Sequence, residues 1–215
     1  MTPSHHPEPD DLVSYASGAC EEWRAVVVAC HLTYCAECRS EVAALEDLGG
    51  VLLDTLAADA GAKAPPLPPT PAARPSLPKT YSDSELGRSI PRPLHPYFKE
   101  PTPAWRFLAP GLKHVPLSLT VGQMPARLIQ FRPGFVVPDH THNGTEMLLV
   151  LDGVLEDTTS KEVFREGDLS RRDEGSSRHG NAVKGAEPCI CLVVNDGPLN
   201  PSTLLGKLLK ALTGL

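Results

Sequence analysis

The chain has 215 residues, 41% of them hydrophobic, and 26 Asp/Glu against 20 Lys/Arg for a formal net charge of -6. That length and apolar content suffice for one ordinary domain or two small ones and exclude a wholly disordered chain. No stretch approaches the roughly eighteen apolar residues of a membrane span, and the opening MTPSHHPEPDD has none of the basic-then-apolar order of a secretory leader, so a cytoplasmic protein with no membrane contact is expected.

The charge is unevenly placed. Residues 1–60 hold eleven acids and two arginines, a net of -9, whereas residues 61–215 hold fifteen acids and eighteen bases, a net of +3. The acidic part repels phosphate backbones, which argues against direct nucleic-acid binding and for a basic protein surface as partner.

No proline lies between Asp10 and Gly61, and the composition there is rich in Ala, Leu, Glu and Val. Leu12, Tyr15 and Ala16 mark a first helix with Gly18 as its stop, and Val26, Val27, Cys30 and His31 mark a second. Leu45, Leu48, Leu52 and Leu56 mark a third, which runs through Gly49 and Gly50 at some cost in propensity. The spacing predicts a three-helix bundle over residues 1–62. Leu12, Tyr15, Trp23, Val27 and Leu56 are candidates for an exposed partner face, although core is the commoner role for any one of them.

From Lys63 to Pro78 the run KAPPLPPTPAARPSLP supports neither helix nor sheet and predicts an extended linker, with Ser82 and Glu85 in capping-box spacing within a linker region of 63–93. Residues 94–215 then show short apolar runs (LSLTVGQ, ARLIQFRPG, MLLVLDGVLED, CICLVVND) separated by Gly, Pro, Asp and Asn, the pattern of an all-β sandwich or barrel. Leu204, Leu205, Leu208, Leu209 and Leu212 predict a terminal amphipathic helix packed on that sheet.

Two constellations carry chemistry. His31, Cys35 and Cys38 lie within about 60° on a helical wheel, so an imidazole and two thiols converge on one point. A fourth ligand from His6, with His5 or Cys30 as alternatives, would complete a closed tetrahedron suited to a structural zinc, which would staple a small helical unit. The second constellation is Gly134-x5-His140-x-His142-x3-Glu146-x6-Gly153, with His179 downstream. Side chains two apart on a strand share a face, so His140 and His142 converge, and Glu146 joins them if the strand continues. Three imidazoles and a carboxylate suit Zn, Mn, Fe, Ni or Cu.

The pattern of His140, His142 and Glu146 with its flanking glycines resembles the first motif of the cupins, which are jelly-roll β-barrels with an internal metal. The second cupin motif, around Gly167, Asp173, Gly175 and His179, departs from the usual one: Asp173 stands where a proline is usual, and one extra residue precedes His179. The whole order of features, including HHPEPDDLVSYASGA and VVVACHLTYCAECRSEV, resembles the ChrR-type zinc-containing anti-sigma factors. That resemblance implies an N-terminal domain that binds and inhibits an extracytoplasmic-function sigma factor. It implies zinc on His6, His31, Cys35 and Cys38, and a second zinc in the cupin on His140, His142, Glu146 and His179. It further implies release of the sigma factor under oxidative, singlet-oxygen-type stress, no catalysis, and a cupin of a kind that often self-associates. Met147, Cys189 and Cys191 join the cupin histidines as candidate oxidation targets. Two rival readings are a dioxygenase-like cupin metalloenzyme with a helical accessory domain, and a ligand-sensing cupin regulator.

Overall fold

The structure is a computed structural model describing residues 2–56, 86, 90–100, 103–121, 124–197 and 199–201. The proline-rich run, the Ser82–Glu85 capping box and the terminal leucine-rich segment lie outside the described residues.

Three helices form, α1 (Pro9–Ala16), α2 (Glu22–Tyr34) and α3 (Ala36–Thr55). α1 opens on a proline, whose missing N–H would have had no helical partner there, and carries Asp10 and Asp11 against its positive N-terminus. Gly18 follows the α1 cap at Ser17, as expected, and α3 runs through Gly49 and Gly50. Between α2 and α3 stands a single extended residue, Cys35, which serves as C-cap of one helix and N-cap of the next. No helix among the described residues is long and apolar enough to cross a membrane.

A 3-10 helix over Arg92–Tyr97 leads into the β region, whose strands are β1 (Arg106–Ala109), β2 (Leu112–Val121), β3 (Met124–Phe131), β4 (Val136–His142), β5 (Glu146–Asp152) and β6 (Val154–Asp157). β7 (Val163–Arg165), β8 (Leu169–Arg172), β9 (His179–Val183), β10 (Cys189–Asn195) and β11 (Leu199–Pro201) follow. They pair antiparallel into one sheet of order β1-β2-β3-β10-β5-β8 and a second of order β11-β4-β9-β6-β7.

The first sheet is covered on both faces. Cys189, Cys191 and Val193 of β10, with Leu148 and Val150 of β5, pack inward against Leu155, Phe164 and Val183 of the second sheet. The alternate residues Ile190, Leu192 and Val194, with Met147, Leu149 and Leu151, point outward into a second core containing Trp23, Val26, Val27 and Cys30 of α2. This explains why MLLVL and CICLVV read as unbroken apolar runs, because a strand buried on both faces has no polar side to alternate with. Burial of each of these large side chains contributes on the order of 1.5–3 kcal/mol.

α2 is thus sandwiched, with Val28 facing a separate small core of Leu12, Cys35, Cys38 and Val42 in the helical unit. Of the five candidate partner-face residues, Leu12, Trp23 and Val27 are buried and Tyr15 is half-buried, because Leu12 and Tyr15 of α1 pack against α2 and α3 and the β-sheet covers the face of α2 that carries Trp23 and Val27. Leu56 is exposed, at 70%.

Candidate metal centres

The break at Cys35 builds the first group. It turns α3 back so that Cys38, one turn into the new helix, faces His31 in the last turn of α2. Cys35 Sγ takes the N-cap role that an Asp or Ser oxygen usually fills, accepting the Cys38 N–H at 3.4 Å. His31 Nε2 lies 3.3 Å from Cys38 Sγ, and His6 Nδ1 lies 3.4 Å from Cys35 Sγ and 3.3 Å from Cys38 Sγ. A tetrahedral zinc with ordinary Zn–S and Zn–N bonds separates sulfur from nitrogen by about 3.5 Å, so these four side chains fit one ion. His31, Cys35 and Cys38 are buried and His6 is half-buried.

His6 rather than His5 or Cys30 joins the group. His5 turns the other way, onto the Phe164 ring at 4.3 Å and toward Asp168 Oδ2 at 3.5 Å, and Cys30 sits in the apolar core beneath α2. His31 Nδ1 lies 2.8 Å from the Gly167 carbonyl oxygen. A carbonyl only accepts, so Nδ1 carries the proton and Nε2 presents its lone pair to the sulfurs. Burial lowers the His31 pKa against the opposing effect of the Gly167 bond. Burial, and then the hydrogen bond with Cys35, push the Cys38 thiol up.

The second group lies between the two sheets. His140 and His142 sit at the end of β4 and point inward, but the strand stops there, and a turn through Asn143 and Gly144 sends Glu146 into β5 of the facing sheet. The carboxylate therefore arrives from across the barrel rather than along the same strand. His179, opening β9, is the cross-strand partner of His140, so the second cupin motif delivers its histidine despite Asp173 and the extra residue. Asp173 instead binds Thr145 Oγ1 and Arg171 Nε, each at 3.0 Å.

His142 Nε2 is 2.8 Å from His179 Nε2 and 3.7 Å from Glu146 Oε1, and all four side chains belong to residues only 4–6% exposed. Outer groups orient them. His140 Nδ1–H donates to the Pro138 carbonyl at 2.9 Å, which frees its Nε2, and Asp157 Oδ2 lies 3.5 Å from His179 Nδ1 while accepting from Arg172 Nη2 at 3.0 Å. The Asn195 amide, with its NH2 turned to Glu146, donates to Oε2 at 2.9 Å. Among the described residues, buried His142 Nδ1 has no hydrogen-bond partner. Burial first, then the neighbouring histidines, hold His142 down to about 3, and burial and His140 hold His179 down to about 4, so both are neutral ligand-type imidazoles at physiological pH. Burial raises Glu146 to about 7 against the pull of Arg172. The donor set and its burial fit a divalent cation, which would relieve a carboxylate held among neutral imidazoles.

Of the candidate oxidation targets, Met147 lies on the opposite face of β5, in the core under α2, because it alternates with Glu146. Cys189 and Cys191 face the barrel interior with their sulfurs 3.6 Å apart, and burial, followed by the bond to Cys189, keeps Cys191 a thiol. Asp157, Arg172 and Asn195 had no sequence signal, since a lone Asp, Arg or Asn in or beside a strand is ordinary composition, and Asp168 was legible only as part of the turn Glu166-Gly167-Asp168.

A double-sheet antiparallel barrel enclosing three histidines and a glutamate, docked on a helical unit with its own His/Cys group, defines a cupin protein with two candidate metal centres. Residues 98–200 match the family described as the ChrR cupin-like domain. The anti-sigma-E factor ChrR of Cereibacter sphaeroides is 33% identical over 225 residues, covering 98% of this chain and 98% of the relative. The crystal structure of Rhodobacter sphaeroides SigE in complex with the anti-sigma ChrR matches with a TM-score of 0.66 at 33% identity, over 91% of this chain and 100% of that one. The chain belongs to the ChrR family of anti-sigma factors.

Proposed function

We propose that this protein binds and inhibits an extracytoplasmic-function sigma factor through its N-terminal helical domain, residues 1–62, and that the cupin domain, residues 94–215, controls release. The carrying observation is the end of α3, where Leu48, Val51, Leu52 and Leu53, with Leu56 at the C-cap, are 55–70% exposed on the helix that follows Cys35. A contiguous apolar patch of this kind marks a protein-binding surface. Acids at Glu46, Asp47 and Asp54 flank it, and the net charge of -9 over residues 1–60 steers it toward a basic partner. The full-length similarity to an anti-sigma factor, and to the structure of one with its sigma factor, supports the same reading.

His6, His31, Cys35 and Cys38 hold a structural zinc in this reading, and His140, His142, Glu146 and His179 hold a second divalent ion, zinc by family likeness. Bound metal supplies a structural crosslink at the first group and an oxidant-sensitive anchor inside the barrel at the second. All six cysteines are free, in keeping with the reducing cytoplasm where sigma factors work. The full-length similarity to an anti-sigma factor supports a regulator rather than an enzyme. Loss of a cupin ligand to oxidation loosens the barrel and, through the shared core, the helical domain.

The test is capture from native extract with the wild type and a Cys35→Ala/Cys38→Ala variant, identifying bound proteins by mass and counting metal on both. The expected result is a sigma factor retained by the wild type and lost, with about one zinc, in the variant. Iron or nickel in the cupin and no sigma factor would overturn the reading. Release is tested separately: with a cupin ligand already missing, His140→Ala and Glu146→Ala are expected to lose the oxidant-dependent change in sigma-factor binding, and normal oxidant-dependent release from both would remove the cupin centre from the signal path.

A further inference from the structure

The group His6–His31–Cys35–Cys38 is assembled in the helical unit, yet what surrounds it comes from the β region. Residues 2–8 form no helix or strand of their own, so the position of His6 depends on what holds its neighbours. The holder is the turn between β7 and β8. Asp168, 1% exposed, accepts the Ser4 N–H at 2.6 Å and the His5 N–H at 3.0 Å, and the Leu169 N–H donates to the His5 carbonyl at 3.1 Å. The same carboxylate braces its own turn through the Arg165 N–H at 2.7 Å. One residue earlier, the Gly167 carbonyl fixes the His31 tautomer. The turn thus orients two of the four ligand side chains, one by its backbone and one by its ring.

Close approach makes this possible. Gly167 has φ +88°, and a Cβ there would meet Pro3 Cγ and Tyr34 Cβ, each at 2.7 Å. Only glycine lets the turn seat between the N-terminal segment and the end of α2.

We infer that the β7–β8 turn of the cupin domain is the outer shell of the N-terminal metal centre, with Gly167 and Asp168 as positioning residues, so that metal binding there and docking of the two domains strengthen each other. Outer partners of this kind set ligand orientation and typically account for about 10–100-fold in metal affinity. Linkage makes the effect reciprocal: a metal that binds the docked arrangement more tightly favours docking by the same factor. The cupin can thereby act on the sigma-binding helices through the metal centre itself as well as through the apolar core. The inference rests on the reading of the His/Cys group as a metal centre.

The test uses the full chain loaded with cobalt(II), whose sulfur-to-metal absorption reports the centre with thiolates and is silent for one built of His and Glu. Competition with a chelator then gives the affinity of that centre alone. Gly167→Ala and Asp168→Ala are expected to weaken it about 10–100-fold while a second, thiolate-free cobalt stays bound. Gly175→Ala is the control for backbone strain: its φ is +80°, but nothing lies within 4 Å of its Cβ position. Its thiolate-centre affinity is expected to match the wild type. Unchanged affinity in both Gly167→Ala and Asp168→Ala overturns the inference, as does an equal loss in Gly175→Ala. Absence of the absorption in the wild type overturns the metal-centre reading and the inference with it.

Discussion

Asp11 of α1 and Arg171 of β8 meet at 2.8 Å across the junction of helices and barrel, 160 residues apart in sequence. Asp11 is 3% exposed and has a second, longer contact with Arg24 Nη1 at 3.4 Å, while Arg171 also binds Asp173 at 3.0 Å. A charged hydrogen bond of this kind contributes roughly 1.5–3 kcal/mol when shielded. Arg171 keeps 21% of its side chain in solvent, which lowers the expected coupling to roughly 1–2 kcal/mol. A double-mutant cycle of Asp11→Asn and Arg171→Ala in denaturant unfolding measures it, and purely additive losses would show that the pair does not hold the junction.

The barrel centre depends on a carboxylate that is not a ligand. Asp157 Oδ1 accepts the N–H groups of Thr159 and Ser160 at 2.7 and 2.9 Å, and Oδ2 faces Arg172 and His179. Asp157→Asn keeps the first set and turns an NH2 toward two donors. The fold is expected to survive and metal affinity at the cupin centre to fall about 10–100-fold, read by chelator competition.

The two centres differ in their response to pH. Cys38 is held as a thiol by burial, so a metal bound through its sulfur displaces a proton, and affinity rises by about tenfold per pH unit for each proton displaced. In the barrel His142 and His179 are already neutral, and Glu146, at about 7, is ionised above that pH. Between about pH 7.5 and 9 the thiolate centre is therefore expected to tighten while the cupin centre stays nearly constant. Competition titrations across that range, with proton release followed by a pH indicator, check both slopes.

The exposed turns of α3 separate binding from folding. Leu48→Gln and Leu52→Gln replace residues 55% and 59% exposed with another good helix former, so unfolding free energy is expected to change by no more than about 0.5 kcal/mol. Affinity for the captured sigma factor is expected to fall more than about tenfold in the double variant. Unchanged affinity by titration calorimetry would move the binding surface elsewhere on the helical unit.

Much of this molecule is written in local spacing. The absence of proline from Asp10 to Gly61 and the apolar repeats predicted three helices, and the spacing of His31, Cys35 and Cys38 marked one ligand group, although it is the extended break at Cys35 and not one continuous helical face that brings Cys38 round to His31. His140 and His142 share a strand face because side chains alternate with period two. Tertiary packing decided the rest. His6 and His5 are adjacent and equivalent as sequence, and only the clamp of Asp168 on Ser4 and His5 sends one to the sulfurs and the other to Phe164. Glu146 reaches its histidines from the opposite sheet, and Met147 faces away from them, because the chain turned at Gly144. Spacing along a chain sets which side chains share a face, but what that face meets depends on surfaces more than a hundred residues away, and His31 with the Gly167 carbonyl is the case in point.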